Sequence, residues 1–409
     1  MATKRWIGGA QAVAQVTTVS YSTYTSGQTY RIICNNKVFA FVATASTAAN
    51  VLAGIVALLN ASTEKEVLEF TASSDGSVIT LTGATAGVPF TVTATQTTGT
   101  STVTTTTAAT GPNHWDNAYN WSGAALPSAG DALIVEAGSY SILYGLVDAN
   151  NYASLTIDST FTGLIGLPAV AAAGYREYRA RFLKLGDGSS TIVVNIGQGK
   201  GSKSGRINLD LNDATGTIRV YSTGQSQDNF EGPLVIKNTD SSSTFLMHSG
   251  VALLTADTSG SFSTVKLLPN GDQQGASVVS DTTVALGAIT MNTGELECRG
   301  SATSVNASQG AKFKITGAAT CPTVTVSNQA KIYWSSSAGI TTLAGGQAGE
   351  IYFGGETTSK TITNASIGPG CIVSDPSSCV TWTNGIKLSA CRLKDVQIDF
   401  GNDVFVKRV

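Results

Sequence analysis

Two histidines, His114 and His248, are all the imidazole in this 409-residue chain. A Ser-His-Asp or Cys-His nucleophile therefore has at most two candidate bases. His114 stands beside Trp115, where packing or a turn hydrogen bond is the expected role. His248 follows the strand-like Phe245-Leu246-Met247 and reads as a corner residue. A zinc site of three histidines is out of reach, and no cysteine or carboxylate spacing completes one. The six cysteines (Cys34, Cys298, Cys321, Cys371, Cys379, Cys391) lack any CxxC pair. They read as small buried thiols in reduced form. A pairing of Cys371 with Cys379 across a corner stays open.

The acids are equally dispersed. Glycoside hydrolysis needs two carboxylates facing across a groove, and calcium needs several converging oxygens. Asp210 and Asp213 bracket one strand end, whereas Asp187, Asp228, Asp240 and Asp257 fall in separate turns. Asp among Gly, Asn and Ser is ordinary turn chemistry, and no Asp-x-Asp-x-Asp-Gly loop is present. Calcium at Asp210 and Asp213 remains the alternative. The stretch from Gly197 to Gly205 is glycine- and lysine-rich, but it lacks the spacing of a phosphate loop and opens no helix. Arg176, Arg179 and Arg181, broken by Glu177, read as a solvated corner or an anion site. Tyr333/Trp334, Tyr352/Phe353 and Trp382 are candidates either for stacking on sugar or for packing in a core or end cap.

The elements that must position these residues are short strands. Charged residues make up only 13% of the chain, with 44 glycines and abundant Ser and Thr. Hydrophobic residues reach 42%, too many for a disordered chain. β-Branched inward positions with tight corners fit a repetitive β architecture. The net charge of −2 offers no basic field for a nucleic-acid partner. No run of 18 apolar residues suggests a membrane-spanning helix, and Met1–Gly9 has no apolar core of a secretion signal. The expectation is a chain made and folded in a cytosol, with no nucleic-acid or membrane partner.

Four regions follow. Residues 1–15 form an N-terminal arm anchored by Trp6 and Ile7, packing on a neighbour or back on its own domain. Residues 16–96 form a small α+β domain of order β-β-β-α-β-β-β. In it Asn35-Asn36 turns a hairpin, and Thr47 caps a helix carrying Val51, Leu52, Ile55, Leu58 and Leu59 at helical spacing. Residues 97–112 are a Thr-rich linker, an edge strand or a tether. Residues 113–409 carry short strands with uneven loops and no helix. Lys312-Phe313-Lys314-Ile315 and Thr323-Val324-Thr325-Val326 alternate inward and outward. This pattern predicts a single-stranded parallel β-helix, or β-solenoid. An open solenoid end needs a cover; the seam 113–131, with Trp115, Tyr119, Trp121 and the Gly130-Asp131 turn, is the expected cap and first rung. About 11 rungs at about 4.8 Å give a shaft on the order of 50 Å.

Two resemblances sharpen the expectation. Asn120-Trp121-Ser122-Gly123, Pro127 and Gly130-Asp131-Ala132-Leu133-Ile134-Val135 resemble the opening turn of pectin-lyase-like and autotransporter-type β-helices, in which the Trp caps the coil. Tyr30-Arg31-Ile32-Ile33-Cys34-Asn35-Asn36-Lys37-Val38-Phe39-Ala40-Phe41, with the helix and Val78–Val92 after it, resembles a small domain of bacteriophage virion proteins. That resemblance covers roughly 80 residues. It implies a non-enzymatic virion structural protein, either capsid decoration (cement) or a head fibre, attached through its N-terminal region and assembled in the host cytoplasm. The implied partners are the major capsid protein or other virion subunits and further copies of itself, as a homotrimer, without cofactor or metal. The alternative is a tail-fibre or tailspike-type protein that binds a receptor or degrades polysaccharide. Trp6, Ile7, Trp115, Trp121 and Asp131 are the residues expected to carry structural interaction.

Overall fold

The computed structural model describes residues 2–139, 142, 150–163, 165, 182–186, 191–198, 207–223, 234–239, 242–269, 275–354 and 358–401. From Ala132 onward the chain winds as a parallel β-solenoid of about ten turns among the described residues. Each turn gives one strand to a large sheet and one to a second sheet. Parallel, in-register pairing stacks like positions. Leu296, Phe313, Ile332, Ile351 and Val373 are successive partners, all pointing inward and buried. The columns supply the apolar burial that a single short strand lacks.

Turn length varies, as the uneven loops foretold. Neighbouring turns are offset by 17 residues at Glu297 and Lys314 and by 27 at Thr217 and Thr244. Several large-sheet strands also bend. In Gly260–Leu267 the alternation breaks at Ser263 and Thr264, which both turn outward between buried Phe262 and Val265. Gly287 occupies the same corner one turn on, where a Cβ would collide with the Ser263 carbonyl. In the last turn the bend becomes a break. Lys360–Ile367 pairs with Val380–Trp382 before the corner and with Ile386–Leu388 after it. The turns with such a bend thus have three faces.

The small N-terminal domain has its own core. Strands β2 (Val16–Tyr21), β5 (Phe70–Ser74), β6 (Ile79–Gly83) and β8 (Ser101–Thr107) form one antiparallel sheet, in the order β5-β6-β2-β8. Strands β3 (Thr29–Cys34), β4 (Lys37–Val42) and β7 (Val92–Gln96) form another, in the order β4-β3-β7. Helix α1 (Ala48–Ala61) packs on both β4 and β5. The Thr47 hydroxyl accepts from the Asn50 amide at 3.3 Å, and Val51, Leu52, Ile55 and Leu59 face the core. Gly54 lets the Phe41 ring lie against the helix.

Two alternatives left open by the sequence resolve here. The Thr-rich stretch holds an edge strand, not a tether: β8 lies within it and pairs with β2 along its length. The N-terminal arm folds back on its own chain, onto the solenoid and not onto the small domain. Strand β1 (Thr3–Arg5) pairs in parallel with β9 (Ala132–Gly138) and opens the large sheet ahead of β9 and β10 (Ser154–Phe161). The small domain is therefore an insertion between the first two strands of the solenoid. The chain enters and leaves it side by side, through antiparallel bridges Val13–Thr110 and Trp6–Trp121.

Candidate functional site

The residues singled out from sequence converge at the start of the solenoid. Thr3, Lys4 and Arg5 stand opposite Ala132, Leu133 and Ile134, and the Trp6 amide donates to the Ile134 carbonyl at 2.9 Å. Trp6 is thereby laid over the end of the inward columns. Its ring stacks on Trp115 (6.3 Å, 23°) and meets Trp121 edge-on (5.1 Å, 86°). Trp115 and Trp121 are themselves edge-on at 4.7 Å. Trp121 is fully buried, and its Nε1–H donates to the Trp115 carbonyl at 2.9 Å. Trp115 reaches the Tyr152 ring of the first complete turn at 6.0 Å. The three indoles close the shaft with apolar surface on the inside and a satisfied N–H at the centre.

Asp131 ties the arm down. Its Oδ1 accepts the Ala2 amide at 2.8 Å and its Oδ2 the Ser128 amide at 3.0 Å. The Ser128 and Ala2 amides hold its pKa below the usual carboxylate range, against the opposing effect of burial. The free edge of β1 is blunted. The Ser122 hydroxyl accepts the Arg5 amide at 3.1 Å, Lys4 Nζ donates to the Ala125 carbonyl at 3.2 Å, and Arg5 pairs with Glu136.

Asn120, which sequence reasoning passed over, is the hub of the neck. Its Nδ2 donates to the Gly111 and His114 carbonyls, both at 2.7 Å, and its Oδ1 accepts the Ala10 amide at 2.8 Å. Its own carbonyl accepts the Ile7 amide at 2.8 Å. A lone Asn before Trp carries no signature of such a role. His114 is buried, and its Nε2 donates to the Gly87 carbonyl at 2.7 Å, which joins the neck to the small domain. One expectation fails: Tyr119 is 69% exposed and does not pack in the cap; Ile7 of the arm is also exposed, at 60%.

The other candidates do not assemble. Asp210 and Lys237 Nζ lie 3.3 Å apart, and Lys237 also holds Asp257 at 2.5 Å. An ammonium thus stands where calcium was considered, its pKa raised by the Asp257 bond, opposed by burial and supported by Asp210. Asp213 lies in the corner between the strands Ile207–Asp210 and Thr215–Val220, at φ 62°. His248 stacks on Tyr221 at 5.6 Å. Trp334 and Phe353 point inward, and Trp382 packs between Phe353 and Phe400 near the last turn. Tyr333 and Tyr352 face outward but stack on each other (5.4 Å, 14°), and the Tyr352 hydroxyl donates to Glu350 at 2.6 Å.

Cys371 and Cys379 are not bonded; the Cys379 thiol donates to Asp375 at 3.2 Å. Burial pushes the thiols of Cys298 and Cys371 up to about 11 and those of Cys34 and Cys321 up to about 12, away from the thiolate chemistry of reactive cysteines. Among the described residues, no three His, Cys, Asp or Glu side chains group to hold a metal. Asp187, Asp228, Asp240, Arg176, Arg179, Arg181 and the segment 199–205 lie outside the described residues. No protein-family model matches the chain, and no curated protein matches it significantly.

Proposed function

We propose that this protein is a non-enzymatic structural component of a bacteriophage particle, a capsid decoration (cement) or head-fibre protein held through its N-terminal region. The observation that carries the reading is the insertion of the small domain into the capped end of a shaft. Two antiparallel chain segments, bridged at Trp6–Trp121 and Val13–Thr110, cross the neck, and the indole cap, Asn120 and Asp131 bind both of them to the first turn. Load on the domain passes into the sheet through paired backbone instead of a single tether. The Thr/Ser/Gly-rich exterior and paired charges suit a part that endures and does not react. Its partners are shell subunits and other copies of itself, and attachment works by buried area multiplied over many copies.

Cryo-electron microscopy of purified particles tests this. Hundreds of ordered copies on the shell are expected. A few copies at the tail tip would overturn the reading in favour of a receptor-binding tailspike. Release of oligosaccharide from host envelope, lost on Asp210→Ala, would overturn the non-enzymatic part.

A further inference from the structure

Strand β4 is the outer strand of its sheet and pairs with β3 alone. The hairpin between them turns on Asn35 and Asn36, both at positive φ (47° and 69°). A two-residue turn of this kind makes Cys34–Lys37 a hydrogen-bonded pair, and bonded pairs recur at every second residue. Lys37, Phe39 and Phe41 therefore direct their N–H and C=O groups to β3. Those of Val38, Ala40 and Val42 point away, and among the described residues no partner takes them. Val38 and Val42 are 54% and 55% exposed.

Two other edges of this protein are defended. Asn60 covers β5, donating to the Ala72 carbonyl at 2.9 Å and accepting its amide at 3.2 Å. β1 is three residues long and carries Lys4 and Arg5. β4 has no charge from Val38 to Val42 and no such device. Its segment, Val38-Phe39-Ala40-Phe41-Val42, reads the same in both directions.

We propose that β4 pairs antiparallel with β4 of a second copy about a two-fold axis at Ala40, joining two sheets into one of order β7-β3-β4-β4-β3-β7. In that register Ala40 meets Ala40, Val38 meets Val42 and Phe39 meets Phe41. Val38–Val42 and Ala40–Ala40 are the pairs whose unused N–H and C=O groups face each other, and each such pair exchanges two bonds. The palindrome and the free backbone groups select the same register. Lys37 falls opposite Ala43 of the second copy and is already paired with Glu64 at 2.9 Å, so no like charges meet. The contact is isologous. It yields a two-fold dimer where the phage-protein resemblance suggested a trimer, and it does not depend on the virion reading.

Sedimentation velocity of the full chain at micromolar concentration should show a dimer. Val38→Glu with Val42→Glu places carboxylates opposite each other and should weaken the dimer about a hundredfold or more. Val38→Lys with Val42→Glu places Lys against Glu at both ends and should restore it. A monomeric wild type, or two double variants that associate equally, would overturn the proposal. If both double variants misfold, Ala40→Cys decides. Paired Cα atoms about 5.5 Å apart permit a disulfide, so oxidation should give a covalent dimer, and failure to form one would overturn the register.

Discussion

Trp121→Ala should open one end of the shaft and leave the other untouched. The indole is fully buried, lies edge-on to Trp6 and Trp115, and donates to the Trp115 carbonyl. Truncating a buried Trp costs about 3–5 kcal/mol. Each lost aromatic pair accounts for about 1 kcal/mol, and the lost hydrogen bond to the Trp115 carbonyl for about another. These overlap, so about 4–5 kcal/mol is the reasoned loss. At 1.36 kcal/mol per decade, that is about a thousandfold in the local opening equilibrium. Each turn touches only its neighbours, so the loss should stay local. Native-state hydrogen exchange should show amides of β9 and β10, such as Val135 and Ile157, losing up to about three decades of protection. Val324 and Leu343, many turns away, should hold theirs. Equal loss at Val324, or none at Val135, would refute the view of the indoles as a terminal cap.

Other perturbations follow from the same geometry. Asp131 has a pKa held below the usual range, so its anchoring is complete above about pH 4 and is lost as pH falls through the lowered value. The protection factor at Ala132, taken against the intrinsic exchange rate at each pH, should therefore fall on acidification in the wild type and respond less in Asp131→Asn. Asp210→Asn should cost under about 1 kcal/mol, because Lys237 keeps Asp257; millimolar calcium should leave the thermal midpoint of wild type unchanged, and a clear upward shift would revive the calcium reading. Asn60→Ala should cost about 1–2 kcal/mol in urea unfolding of the small domain and free the Ala72 amide to exchange.

What could be read from the sequence was whatever repeats or is local. Helix α1 showed in its apolar spacing and Thr47, the β3–β4 hairpin in Asn35-Asn36, and the solenoid in short alternating strands. Trp6, Trp115, Trp121 and Asp131 were named from composition and position, and they meet. Their meeting could not be foreseen, because Ala2 and Asp131 are 129 residues apart and Thr3-Lys4-Arg5 is too polar and short to announce a strand. What makes it one is the open edge of β9. The same blindness to distance leaves β8 undecided between edge strand and tether and places Tyr119 in the cap. Corners were hidden because a two-residue phase slip, as at Ser263 and Thr264, looks like noise in a single strand and becomes a face only when turns are stacked.

The insertion also sets an order of events during synthesis. β1 leaves the ribosome before the rest of the solenoid, and its partner β9 follows more than a hundred residues later, a delay on the order of ten seconds at usual elongation rates. The intervening domain has a core of its own and can fold within that interval. The leading strand then waits as an unpaired sticky end until Ala132–Gly138 emerges, and only afterwards can the solenoid be sealed from its start. A nascent chain in which residue 132 has not yet cleared the ribosome would leave Trp6 uncovered, whereas one in which residue 161 has cleared it would already have it stowed.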